Sequence, residues 1–236
     1  MEVGNGILIS DGKQWSFENQ VADHFDEHVK LSVPLYEQGH ELIGYLSDFF
    51  LRDSSVCYEI GCSTGRLIGK IAKRHFHKSN IQFIGIEPVK EMIDIAEKEQ
   101  EVSQIKFVES SIEAANLKPC DLVLSYYCLQ FVSLSQRDEV CKKIYNALNT
   151  GGAFILFEKE IADDPKINKL ITSSYIKFKV HNGFSSEEVL SKQLSLEGVM
   201  KTNTHSENKK MLINVGFQHV STIMKYGEFN GYVCIK

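Results

Sequence analysis

Two carboxylates stand where chemistry on a nucleoside would need them. Glu59 lies inside Val56-Cys57-Tyr58-Glu59-Ile60-Gly61-Cys62-Ser63-Thr64-Gly65, an apolar β-prone run that breaks into a loop of small residues. Glu87 closes a second apolar run and is followed at once by Pro88. A strand, a small-residue turn and a helix present backbone N–H groups and a helix N-terminus to a ligand at the carboxyl end of a sheet. Glycine there accepts positive φ and lets a ligand approach the backbone. A carboxylate ending the neighbouring strand can accept hydrogen bonds from both hydroxyls of a ribose. Counted from Gly61, the second and third glycines of a dinucleotide fingerprint fall on Ser63 and Arg66, so a pyrophosphate is disfavoured and a nucleoside is retained. The bland alternatives are a tight turn at Gly61 and Gly65, and a helix-dipole role for Glu87. Ser111-Ile112 and Ser125-Tyr126-Tyr127 end two further apolar runs and belong to the same edge.

These residues need a scaffold, and the pattern supplies one. Apolar strand candidates over 56–60, 81–86, 105–108, 121–125 and 153–157 alternate with helical segments over 66–75, 91–99 and 136–148. Such alternation implies a parallel sheet covered on both faces. Residues 149–152, Asn-Thr-Gly-Gly, read as a sharp turn before the fifth strand. Late strands over 217–224 and 231–235 read as an antiparallel hairpin joined by 225–230. Phe17, Val21, Phe25 and Val29 recur at helical spacing, Pro34 sets a bend, and 40–51 reads as a second helix. The whole chain, 1–236, is expected to be one domain. Residues 15–52 would form a helical cap and 159–213 an inserted helical lid, longer than an ordinary crossover. Residues 1–14, polar and glycine-containing, are expected to be poorly ordered.

Composition narrows the classes. The formal net charge of −5 argues against a nucleic-acid binder, so no direct nucleic-acid contact is expected. The six cysteines have no C-x-x-C spacing and several lie in apolar runs, which reads as a reduced, cytoplasmic protein without a metal site. No leader pattern is visible and no run would span a bilayer, so no membrane partner is expected.

The loop 59–65, Glu87, the turn Ser111-Ile112 and the turn 149–152 resemble the motifs of class I S-adenosylmethionine-dependent methyltransferases. The resemblance is closer still to the carboxy-S-adenosyl-L-methionine synthase family. It is carried by Ser32-Val33-Pro34-x-Tyr36, Gly61-Cys62-Ser63, Leu129-Gln130-Phe131, Ile144-Tyr145-x-x-Leu148-Asn149, Glu158-Lys159, Asn182-Gly183-Phe184-Ser185 and Gly216-Phe217. It implies a Rossmann-like α/β fold with a seven-stranded, mostly parallel sheet, a C-terminal antiparallel hairpin and a helical cap. It also implies S-adenosyl-L-methionine as cofactor, S-adenosyl-L-homocysteine as its product form, and a homodimer as a candidate assembly. Tyr36 would reach the methionine end, with Glu59, Gly61, Cys62, Ser63 and Gly65 forming the loop beneath the cofactor. Glu87 and Pro88 would lie at the ribose, Ser111 and Ile112 at the adenine, and Ser125 near the methionine.

In the resemblance, the family's carboxylate-holding arginine falls on Met211, its lid tyrosine on Phe184, and an asparagine on Ser125. A thioether cannot replace a guanidinium fork. The expectation is therefore methyl transfer from ordinary S-adenosylmethionine to a small-molecule acceptor, with synthesis of the carboxylated cofactor, or a non-catalytic cofactor-binding role, as the alternatives. Methyl transfer from a sulfonium needs alignment, exclusion of water and, for some acceptors, removal of a proton. His181, Glu158 and Tyr126 are the expected catalytic groups, with His24, His28 and Tyr127 as alternatives.

Overall fold

The computed structural model describes residues 2–9, 14–18, 20–100 and 102–236. The apolar runs become seven strands: β1 Val56–Ile60, β2 Gln82–Glu87, β3 Ile105–Glu109, β4 Cys120–Tyr126, β5 Leu148–Lys159, β6 His219–Tyr226 and β7 Phe229–Ile235. They form one sheet in the order β3-β2-β1-β4-β5-β7-β6. Strands β1 to β5 pair in parallel, and β7 runs antiparallel to both β5 and β6. The expected α/β fold with its C-terminal hairpin is present.

Alternation along the strands divides the core. Cys57, Leu122, Leu124 and Ile155 point to one face, where Ile43, Leu67, Ile68 and Ile71 cover them. These come from α2 (Tyr36–Phe50) and α3 (Arg66–Arg74). Tyr58, Val123, Phe154 and Leu156 point to the other, beneath α5 (Leu134–Ala147) and α8 (His205–Val215), which supply Val140, Ile144, Leu212 and Val215. The remaining helices are α1 (Gln20–Ser32), α4 (Lys90–Glu99), α6 (Pro165–His181) and α7 (Ser186–Leu196).

Two turns differ from expectation. Residues 149–152 lie within β5, which begins by pairing Leu148 with Cys120 and resumes at Ala153–Leu122 across an irregularity. Backbone bonds between Gly151 and Lys236 (2.9 Å) and between Lys236 and Gly152 (3.0 Å) give this stretch a ladder partner at the C-terminus that local turn chemistry does not reveal. The β6–β7 connection shrinks to Gly227–Glu228, because Lys225 pairs with Asn230 and Tyr226 with Phe229. Gly227, at φ 57°, supplies the left-handed residue such a tight hairpin requires.

The helical segments outside the alternation split between two roles. α1, α6 and α7 border the carboxyl edge of the sheet, whereas α2 and α8 pack on its faces. The first residues also differ from expectation. Glu2 bridges to Leu8, and Val3, Ile7 and Ile9 pack with Trp15, Val21 and Met92 in a third apolar cluster. Residues 1 and 10–13, covered by the same expectation, lie outside the described residues. None of the described helices is long and apolar enough to cross a membrane.

Candidate functional site

A cavity of about 250 Å³ opens at the carboxyl ends of β1, β2 and β4. Its floor is the loop after β1. Gly61 (φ 64°), Ser63 (φ 49°) and Gly65 (φ 72°) all adopt left-handed backbone, and the Gly61 and Cys62 N–H groups both donate to the Ile86 carbonyl (2.8 and 3.1 Å). Ser63 is the one non-glycine in this conformation within the loop, a strain that its surroundings must hold. The holding group is Glu87. One carboxylate oxygen accepts from the Ser63 N–H (2.9 Å) and the other from the Val89 N–H (3.1 Å). Burial raises the Glu87 pKa, and those two N–H groups oppose the rise. Each oxygen retains a lone pair for a ligand, and Glu87, Pro88, Gly61, Cys62 and Ser63 all border the cavity.

Glu59 also borders it, but one of its oxygens is spent on the Ile68 N–H (2.8 Å) in the first turn of α3. Burial pushes its carboxyl well above the usual range. Gly65 caps α3 and does not border the cavity. The loop is tied to α1 through Asp26, which accepts from the Thr64 hydroxyl (2.9 Å) and pairs with Arg66 (3.2 Å).

An aromatic wall faces the loop. Tyr36, Tyr126 and Tyr127 pack edge-on around one another, with centroids 5.2 and 4.7 Å apart. The Tyr126 hydroxyl donates to the Tyr36 carbonyl (2.7 Å), and burial raises its pKa, so it positions the start of α2 and is poorly suited to take a proton. Electron-rich rings beside a buried carboxylate suit a ligand cation such as a sulfonium. Glu87 suits a ribose, so the residues present fit S-adenosylmethionine.

Several expected site residues lie elsewhere. Ser111 accepts from the Ala114 N–H (3.4 Å), Ile112 is buried in the core under α5, and neither borders the cavity. Ser125 is buried with its hydroxyl unpartnered among the described residues, and it too lies outside the lining. His181 is exposed at the end of α6, away from the cavity. Glu158 is fully buried and accepts from the Gln130 N–H (3.2 Å). Burial pushes its pKa up to about 8, with Arg137 opposing. It anchors the segment bearing Gln130 and Phe131, which do reach the cavity, but does not itself border it. Met211 lies in the core between α5 and α8, with its sulfur 4.0 Å from the Cys141 thiol. A side chain there does not face the cavity, so its identity is no guide to which cofactor the cavity takes.

The structure brings His28, one of the alternative catalytic groups, to the cavity, and adds residues that pattern reading left as packing. Trp15, Phe17, Phe25 and His28 line the cavity from the N-terminal side, and Lys192, Leu196 and Met200 from α7 and the segment after it. The 3.6-residue spacing of Phe17, Val21, Phe25 and Val29 describes an apolar helix face and does not say that part of it faces a cavity. A lysine on a polar helix gives no signal of burial at all.

Residues 58–152 match the model of a methyltransferase domain, which implies S-adenosylmethionine binding. An O-methyltransferase family protein from Burkholderia thailandensis superposes with a TM-score of 0.65 at 13% identity, covering 92% of this chain and 59% of that one. A SAM-dependent methyltransferase from Aquifex aeolicus superposes at 0.57 and 14% identity, covering 89% and 97%. At such identities the likeness is one of fold. The sequence relatives go further. The carboxy-S-adenosyl-L-methionine synthase of Staphylococcus epidermidis is 33% identical over 94% of this chain and 97% of its own length. That of Campylobacter lari is 32% identical over 95% of each. With 94% of the chain inside the match, the chain belongs to the carboxy-S-adenosyl-L-methionine synthase family, built on the class I methyltransferase fold.

Proposed function

We propose that this chain binds S-adenosylmethionine at the Gly61–Ser63 loop and carboxylates its methyl group, the activity for which its relatives are named. The observation that carries the binding step is the double use of Glu87. The same carboxylate holds the strained Ser63 backbone and borders the cavity with free lone pairs, a preorganised acceptor for ribose hydroxyls. The choice of carboxylation rests on full-length similarity to the synthases. The contrary argument from Met211 falls with that residue's place in the core.

Chemically, the sulfonium methyl carbon exchanges one hydrogen for a carboxyl group. A C–C bond forms there while the carboxyl group's bond to its donor breaks. With prephenate as the donor, the electron pair left by that bond makes the ring aromatic and expels the ring hydroxyl as hydroxide, which takes up the proton that the methyl loses, so charge and atoms balance. The protein's part is to hold both molecules together, exclude water and stabilise anionic charge. Apolar walls from Phe17, Phe25, Phe131 and Phe229 serve the exclusion.

The test is incubation with S-adenosylmethionine and prephenate, followed by mass spectrometry of the cofactor. A product heavier by the mass of one CO2 supports the reading. Unchanged cofactor, with S-adenosylhomocysteine formed when methyl acceptors are supplied, favours the second reading: methyl transfer to a small molecule. The methyltransferase domain match supports that second reading equally well.

A further inference from the structure

Among the described residues, the largest fully buried side chain is a charged one. Arg137, on α5, is 1% exposed and does not border the cavity. Its guanidinium donates to main-chain carbonyls: Nε to Val132 (3.1 Å), and Nη2 both to Gln130 (3.1 Å) and to Lys201. Nη1 has no hydrogen-bonded partner among the described residues. Burial works against the charge, and the Glu158 carboxyl works for it. An apolar side chain of similar volume would often serve the packing as well or better. What it could not do is donate to several carbonyls at once from a rigid fork.

Those carbonyls belong to two segments that meet at the cavity. Leu129–Phe131 is a single 3-10 turn after β4, and Arg137 holds the carbonyls on either side of Phe131. Lys201 lies in the segment returning from α7 to α8, and its N–H donates to the same Gln130 carbonyl (2.8 Å). The Gln130 side chain completes the joint. Its Nε2 donates to the Met200 sulfur (3.5 Å), and its Oε1 accepts from the Lys159 N–H at the end of β5 (2.8 Å). Gln130, Phe131, Lys159 and Met200 all border the cavity. Cys128, just ahead of the turn, borders it too and fills the space a side chain on Gly61 would need, so the turn rests on the loop that forms the cavity floor. Arg137 thus stands behind the junction of cavity-lining segments without lining the cavity itself.

We propose that Arg137 is a positioning residue of this cavity: by holding the Gln130 and Lys201 carbonyls on one guanidinium it fixes the turn 129–131 against the segment 200–201, and so sets the wall that closes over a bound cofactor. This rests on the reading of the cavity as the S-adenosylmethionine site.

The test uses the full chain and S-adenosylhomocysteine, with affinity read by calorimetry and amide exchange by NMR. In the wild type, saturating S-adenosylhomocysteine should slow exchange of the Lys201 amide at least about tenfold, because opening the junction would then require release of the ligand. Arg137→Lys keeps the charge and loses the fork. It should weaken S-adenosylhomocysteine by roughly tenfold, within the range for residues that act on a site through others. Met200→Ala should weaken it as well, and the double variant should bind no worse than the weaker single variant, because both changes release the same wall. An arginine with a purely structural role would lower the melting temperature and leave the affinities untouched or their losses independent. Affinity within about twofold of the wild type in either single variant, or losses that multiply in the double variant, overturns the proposal. If Arg137→Lys does not fold, exchange in the wild type decides. S-adenosylhomocysteine that binds without slowing the Lys201 amide overturns this proposal alone. No binding to the wild type overturns the cofactor reading, and this proposal with it.

Discussion

The Glu87 carboxylate accepts the backbone N–H of Ser63, a residue at φ 49°, across 2.9 Å. One side chain thus fixes the shape of the loop and offers the ligand its acceptor. Glu87→Ala should weaken S-adenosylhomocysteine binding by about 1–3 kcal/mol, the range for hydrogen bonds to charged groups. Glu87→Gln, which keeps one acceptor, should lose less. Calorimetric titration beside a thermal melt separates the two roles. A lower melting temperature with unchanged affinity would leave Glu87 a loop clamp and nothing more.

Gly61 makes a second test of the same loop. At φ 64° an L side chain is strained, and a Cβ there would overlap the Cys128 thiol and lie 2.7 Å from the Cys128 Cβ. The obstruction is a short, half-buried side chain rather than a flexible tip. Gly61→Ala should destabilise the fold by about 1–3 kcal/mol and abolish cofactor binding. Urea unfolding and calorimetry check both halves. A variant that melts and binds as the wild type does would show the loop to be more pliable than its geometry indicates.

What the sequence made legible followed from short-range physics. Strand–helix alternation located the sheet, and two carboxylates at strand ends located the cavity floor, because side-chain direction and strand order follow from period and chirality. What stayed hidden depended on long-range packing. Met211 and Lys192 both sit on helices of the 159–213 segment, where helical periodicity is equally visible, yet one is core and the other cavity. That difference arises from α8 packing on α5 while α7 turns toward Trp15. Ser111 and Ile112, placed at the adenine by resemblance, do not border the cavity, and the turn after β3 packs Ile112 in the core.

The place of Met211 in the core yields a further prediction. Its neighbours are Cys141, Leu212, Val215 and Phe217, and it is 7% exposed. Met211→Arg would bury a guanidinium in an apolar cluster and should destabilise the protein by about 3–5 kcal/mol without changing the cofactor product. Met211→Leu, close in volume, should cost less than about 1.5 kcal/mol. Denaturant unfolding and mass spectrometry of the product decide it. A stable Met211→Arg variant with an altered product would return this residue to the site.

Glu158 carries the clearest pH signature. Burial lifts its pKa from the ordinary 4.5 to about 8, so between those values the folded chain holds a proton that the unfolded chain has lost. With more protons bound in the native state, stability from this group falls as pH rises through that window, and the loss is complete above about pH 8. Glu158→Gln has no such proton to lose and can still accept from the Gln130 N–H. Relative to the wild type it should therefore be near neutral at pH 4.5 and progressively more stable toward pH 8, by on the order of 1–3 kcal/mol at the upper end. Because Glu158 lies behind Gln130 and does not border the cavity, S-adenosylhomocysteine affinity should hold in the variant. Urea unfolding of both proteins across this pH range gives the difference directly. A flat difference would mean that Glu158 ionises normally in the folded protein, and a collapse of cofactor affinity would mean that it acts on the site after all.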